Sequence, residues 1–217
     1  TDNLLNKAEH DAGFTLTGTG EANATVKVSG FLTGAKTATV NGEGAWTLGV
    51  AQADLGADAA TMLSITQSDA VGNKSDAVTL KLTTDVTVAA PTLNAIATDD
   101  KANSAEAAAG FNITGSGEAG AVVTLTLDSG STLAGGNTAT VGSDGSWSIA
   151  VVAADITAMG ESAEVITAKQ VDVAGNISVN SSAKTLAVDT VVPSAPAVVL
   201  GAGVSNGATD AEAAATG

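Results

Sequence analysis

Several short runs of this chain place an apolar residue at every second position. Val123-Thr124-Leu125-Thr126-Leu127 and Trp147-Ser148-Ile149-Ala150-Val151 show this two-residue period, which is that of a strand burying one face. Phe111-Asn112-Ile113-Thr114 and Val165-Ile166-Thr167-Ala168 are shorter clusters of strand formers. Turn signals at Asp144-Gly145, Gly135-Gly136-Asn137 and Ala174-Gly175-Asn176 separate them. With residues 92–97 opening the set and 177–188 closing it, about seven short strands occupy roughly 100 residues, which predicts a two-sheet sandwich. Helix is expected only as one turn around residues 105–109.

The pattern then repeats. Ala8-Glu9-His10-Asp11-Ala12-Gly13-Phe14 returns 97 residues later as Ala105-Glu106-Ala107-Ala108-Ala109-Gly110-Phe111. Gly18-Thr19-Gly20-Glu21-Ala22 returns at the same spacing, as Gly115-Ser116-Gly117-Glu118-Ala119. Trp46 matches Trp147, and Asp69-Ala70-Val71-Gly72-Asn73 matches Asp172-Val173-Ala174-Gly175-Asn176 at slightly larger spacings, as loop insertions would make them. A third copy opens near Pro196, where Asp210-Ala211-Glu212-Ala213 echoes Ser104 to Ala107. The expected units are therefore 1–85, without its first strand, then 86–190, then the start of a third at 191–217. A parallel β-helix is excluded because its repeats are far shorter. The recurrence of Phe14/Phe111 and Trp46/Trp147 marks core anchors, for no aromatic or basic neighbours build a stacking platform.

Four stretches carry a family resemblance. Gly115-Ser116-Gly117-Glu118-Ala119-Gly120-Ala121, then Gly142-Ser143-Asp144-Gly145-Ser146-Trp147, then Asp172-Val173-Ala174-Gly175-Asn176, closing on Val188-Asp189-Thr190 and Pro193, resemble the bacterial Ig-like repeats. These belong to giant type I-secreted adhesins and biofilm-associated surface proteins. The resemblance implies an all-β chain of tandem Ig-like sandwiches, stiffened by Ca²⁺ and extending an adhesive tip from the cell surface. Unit one departs from the pattern. Asp85 is followed by Val86-Thr87-Val88-Ala89-Ala90 before Pro91, and Lys74 follows Asn73.

Composition narrows the chemistry. Twenty-three acids face eight bases, all of them lysines, for a net charge of −15. Such a chain repels phosphate backbones, so nucleic acid is not expected as a partner. There is no Cys, and the single His, His10, aligns with Ala107. Thiol chemistry, Cys-based zinc sites and iron–sulfur clusters are excluded, and a His-dependent triad would rest on His10 alone. No apolar run is long enough for a membrane-spanning helix. Neither an enzyme nor a small-molecule substrate is expected.

The acids remain as the candidate chemistry. Ca²⁺ takes six to eight oxygens from carboxylates, amides and carbonyls, and acidic loops recur in each unit. They hold Asp99, Asp100 and Glu106, then Asp172 and Asn176 with their counterparts Asp69 and Asn73, then the linker acids Asp85 and Asp189. End-to-end stacking would carry Asp2, Glu9 and Asp85 of unit one towards Glu118, Asp172 and Asn176 of unit two. A purely structural role competes at two places. Asn6-Lys7-Ala8-Glu9 and Asn103-Ser104-Ala105-Glu106 fit capping boxes, and Asp172 to Asn176 fits an Asx turn with Gly at a positive φ.

The resulting expectation is a monomeric, non-catalytic extender of a bacterial surface adhesin, extracellular, with structural Ca²⁺ and neighbouring repeats of the same chain as partners. The alternative is a glycan- or protein-binding Ig-like module, for which the long loop from Asp128 to Asn137 is the best candidate.

Overall fold

The structure, a computed structural model, describes residues 3–199. Unit one runs β1 (Leu4–Leu5), α1 (Lys7–Ala12), β2 (Phe14–Thr19), β3 (Thr25–Ser29), β4 (Lys36–Thr39), β5 (Ala45–Val50), β6 (Ala60–Ser68) and β7 (Val78–Thr84). Unit two repeats the order as β8 (Lys101–Ala102), α2 (Ser104–Ala109), β9 (Phe111–Ser116), β10 (Val122–Leu127), β11 (Thr138–Thr140), β12 (Ser146–Val151), α3 (Ala153–Met159), β13 (Ala163–Val171) and β14 (Lys184–Val188). Each unit pairs a five-stranded sheet, β1-β7-β6-β3-β4 or β11-β10-β13-β14-β8, with a two-stranded one, β2-β5 or β9-β12. That is an Ig-like β-sandwich of seven strands, twice over. Its ladders are antiparallel except where the short entry strand runs parallel to the exit strand, β1 on β7 and β8 on β14.

Strand alternation explains the packing. In β12 the residues Trp147, Ile149 and Val151 point inward and their neighbours outward, and β5 does the same with Trp46, Leu48 and Val50. The cores are separate. Trp46 packs among Val26, Val28, Leu48 and Leu63, whereas Trp147 packs among Ile113, Val123, Leu125 and Ile166.

The expected opening turn is present as α2, closed by a capping box between Asn103 and Glu106. Helix is nonetheless more abundant than alternation suggested. α1 repeats α2, and α3 is a further helix that strand reasoning missed. Its residues Ile156 and Met159 stand three apart and face the core, while Asp155 accepts from Val152 N at 2.9 Å and Ala134 N at 2.7 Å. The expected opening and closing strands are also more irregular than a period-two reading suggests. Residues 92–94 lie along β9, with Thr92 N donating to Ser116 O at 2.8 Å and Asn94 N to Thr114 O at 2.9 Å, then break into a 3₁₀ turn at Ile96–Thr98. Residues 177–188 make one bridge, Val171 to Ile177, before β14 begins.

Candidate metal centre

Unit one ends where the parallel β1–β7 pair runs out. The last bond of that pair, Asp85 N to Leu5 O at 2.9 Å, fixes Asp85 just beyond the sheet. Unit two repeats the device with Asp189 N and Ala102 O at 3.0 Å. The linker is then held back against its own unit. Asp58 accepts from Val86 N at 2.6 Å, Thr87 N at 3.2 Å and the Thr87 hydroxyl at 2.9 Å, and in unit two Glu161 receives the Thr190 N–H at 2.8 Å and the Thr190 hydroxyl. Neither Asp58 nor Glu161 was singled out from sequence. Their only signal is position, an acid ahead of β6 or β13 in both copies.

Unit two meets this exit with a turn and a loop. Asp172 Oδ1 accepts from Gly175 N at 2.7 Å and Asn176 N at 2.8 Å, so the Asx turn is real, and Gly175 supplies its φ of 99°. The same turn also brackets the junction. Asn176 Oδ1 accepts from Lys7 N at 2.7 Å, at the start of α1, while its amide donates to Asp85 O and Asp172 Oδ2, each at 2.7 Å. Gln170 adds a bond to Ala89 O at 2.9 Å, and its other end receives the Glu118 N–H at 3.0 Å.

Within this bracket one carboxylate oxygen each from Asp85, Glu118 and Asp172 lies within 4.8 Å of the other two. Two units contribute, through an exit linker, the β9–β10 loop and the end of β13. Among the described residues the ion pairs are Lys7–Asp11, His10–Asp11, Lys36–Asp54 and Lys184–Asp100, and none neutralises this cluster. Burial first, then repulsion from Asp172 and Asp58, raises the Asp85 carboxyl above its ordinary value. Glu118 is an exposed residue, yet its carboxyl is raised too, by desolvation at the junction and then by Asp85, Asp172 and Asp58. A donor set of carboxylate oxygens, with amide and carbonyl oxygens beside it and no soft ligand, suits a hard divalent cation.

The remaining predicted residues lie elsewhere. Glu9 and Glu106 close capping boxes, receiving the backbone N–H of Asn6 and of Asn103 at 3.1 Å. Asp100 accepts from Ile96 N at 2.8 Å and pairs with Lys184 at 3.3 Å, while Asp99 accepts from Lys101 N at 3.2 Å. Asp69 and Asn73 repeat the Asx turn at the other pole of unit one, where Asp69 accepts from Asn73 N at 2.8 Å and the Asn73 amide at 2.6 Å. Asp2 lies outside the described residues, as does most of the expected third unit. Among the described residues, Asp85, Glu118 and Asp172 form the only group of three acids or histidines placed to share an ion.

Residues 3–85 match the sequence model of the family described as the bacterial Ig domain. Among solved structures, the chain resembles one concerning host cell surface retention of a 1.5-MDa bacterial ice-binding adhesin, at 29% identity and a TM-score of 0.48 over 88% of this chain and 62% of that one. It also resembles a Ca²⁺-stabilised adhesin with which an Antarctic bacterium reaches out and binds ice, at 30% identity and 0.47, covering 88% and 47%. A bacterial immunoglobulin-like domain from the M. primoryensis ice-binding adhesin is 32% identical with a TM-score of 0.34, over 48% of this chain and 99% of that domain. The chain thus spans less than two thirds of the first two structures. No curated protein matches it.

Proposed function

From a chain that belongs to the bacterial Ig domain family, we infer a non-catalytic extender segment of an extracellular surface adhesin, whose work is to hold successive sandwiches in line. Asp85, Glu118 and Asp172 would hold Ca²⁺ at the junction, with Asn176 tying the exit of unit one to the turn of unit two. The metal supplies positive charge where two polyanionic units meet. The chain's own groups supply the rest: the β1–β7 pair places Asp85, Asp58 restrains the linker, and the Asx turn orients Asp172. The observation that carries this reading is a three-carboxylate cluster built from both units and left without a cationic partner among the described residues. Repulsion there opposes alignment until a cation offsets it.

The test is a melting curve with and without metal. Extracellular Ca²⁺ modules bind with Kd of roughly 10⁻⁴–10⁻³ M, so Ca²⁺ at about 10–100 Kd should add roughly 1.4–2.7 kcal/mol. Asp85→Ala should remove that increment while each unit stays folded. A melting temperature indifferent to EDTA contradicts the metal assignment.

A further inference from the structure

Residue 170 is a glutamine where strand alternation calls for an apolar side chain. It follows Ile166 and Ala168 on the inward face of β13 and is 1% exposed. A buried carboxamide is costly unless both its ends are bonded. Here both are, to two different pieces of the junction. Its Oε1 receives the Glu118 N–H at 3.0 Å, and its Nε2 donates to Ala89 O of the linker at 2.9 Å. Ser178 fixes the backbone beneath it, its hydroxyl receiving the Gln170 N–H at 2.9 Å and its own N–H donating to Gln170 O at 2.9 Å. A Cβ added at Gly117 would come within 2.4 Å of Gln170 Oε1, so glycine there is what lets the carboxamide reach the loop.

The linker is thereby pinned from both units over a few residues. Asp58 of unit one receives the N–H groups of Val86 and Thr87, and Gln170 of unit two holds Ala89. Only Val88 stands between the two anchors. Asp85 directly precedes the first anchor, and Glu118 sits on the loop that the second one grips. One side chain thus sets how far the two carboxylates stand apart. Unit one carries the same device at its other pole, where Gln67 Oε1 receives the Glu21 N–H at 3.1 Å and lies 2.4 Å from a Cβ added at Gly20.

We propose that Gln170 is a positioning residue of the junction: by joining the Glu118 loop to the linker, it holds Glu118 and Asp85 at the separation a shared divalent cation needs. This rests on the metal reading given above. The oxygen of Gln170 is turned to the Glu118 N–H, so the residue acts through the groups it holds rather than as a ligand. Both of its bonds are made by the chain alone. They order the site before any cation arrives, so part of the cost of gathering three carboxylates is met by folding.

The experiment is a calorimetric Ca²⁺ titration of the full 217-residue chain, with wild type beside Gln170→Met, Gln170→Glu and Gln67→Met. It is run near pH 8, above the ordinary carboxyl range. Methionine keeps the length of the side chain and makes neither bond, so Gln170→Met should bind Ca²⁺ roughly threefold to tenfold more weakly. Gln67→Met removes the equivalent bond away from the junction and should keep the wild-type affinity, although each methionine lowers the melting temperature of its own unit. Gln170→Glu keeps an acceptor for the Glu118 N–H but, as a carboxylate, has no proton for Ala89 O. It should bind more weakly in spite of its added negative charge. In EDTA, amide exchange should quicken at Glu118 in Gln170→Met and at Glu21 in Gln67→Met. A wild type that takes up no Ca²⁺ would sink the metal reading and this proposal together. A wild type that binds, with Gln170→Met binding equally well, would overturn the positioning role alone. So would an equal loss in Gln67→Met, binding by Gln170→Glu as tight as wild type or tighter, or a Glu118 amide that exchanges no faster in Gln170→Met.

Discussion

Asp85 is the residue on which the junction turns, and its protonation has a definite sign. Burial and the carboxylates of Asp172 and Asp58 raise its carboxyl above 3.8, and Glu118 is raised above 4.5. For an acid held up in the folded state, the protonated form is the favoured one there. The stabilising contribution is therefore complete below the ordinary values and is lost as pH rises through the raised ones. Without metal, acidifying from neutrality towards that window should tighten the junction, whereas bound Ca²⁺ should be released over the same window. Asp85→Asn should reproduce the acid effect at pH 7, stabilising the metal-free chain slightly and abolishing its response to Ca²⁺. Melting curves in EDTA at pH 7 and near pH 5 check this. A metal-free junction that is weaker at the lower pH, with Asp85→Asn weaker still, contradicts the electrostatic assignment.

At the scale of elements, most of the sandwich was legible because strand alternation and the repeat point to the same residues. β12 and β5 read directly as in-out patterns around Trp147 and Trp46. The capping boxes at Asn6 and Asn103 were legible for a local reason, since their partners stand three residues apart. α3 was not, because its short run of Val, Ile and Ala forms strand or helix alike, and only Asp155 binding the Val152 N–H decides it. The site divides the same way. Asp85, Glu118 and Asp172 followed from repeat plus topology, whereas Asp58 and Glu161 act through backbone N–H groups of the linker, and no residue pattern announces those. The glycine at 115 belongs to this scale, because it decides whether an element fits. Gly115→Ala would drive a Cβ against Thr92 O and the Trp147 ring, lifting residues 92–94 from β9. The lost bonds and uncovered Leu93 and Ile96 should cost roughly 2–4 kcal/mol, read as a lower urea midpoint of the Trp147 signal. Gly135→Ala, with no atom in reach, should be near neutral, and equal effects from the two would sink the steric argument.

The whole molecule combines two cores of unequal cover with one shared junction. Leu16 and Ile65 of unit one are half-buried, whereas their counterparts Ile113 and Ala168 in unit two are 0% and 1% exposed. In EDTA at low concentration, unfolding should then occur in two steps rather than one. Trp46, read in Trp147→Phe, should report the step at lower urea, and Trp147, read in Trp46→Phe, the step at higher urea. Coincident transitions, or the reverse order, would mean that the half-burial of Leu16 and Ile65 matters little to unit one. Ca²⁺ should draw the two steps together, because each unit would lose a ligand set when the other unfolds. The polyanionic charge of −15 works against alignment in every state without a cation.

If a divalent cation shared by Asp85, Glu118 and Asp172 fixes the angle between units, small-angle scattering reads that angle most directly. At a concentration low enough to hold single chains, wild type in Ca²⁺ should give one well-defined particle with the two sandwiches held in line. Wild type in EDTA and Asp85→Ala in Ca²⁺ should both give a shorter average dimension and a broader distribution. Glu106→Gln, which disturbs only the capping box at Asn103, should match wild type in Ca²⁺. Identical scattering of wild type with and without Ca²⁺, or a particle that Glu106→Gln loosens and Asp85→Ala does not, would contradict a cation shared at the junction.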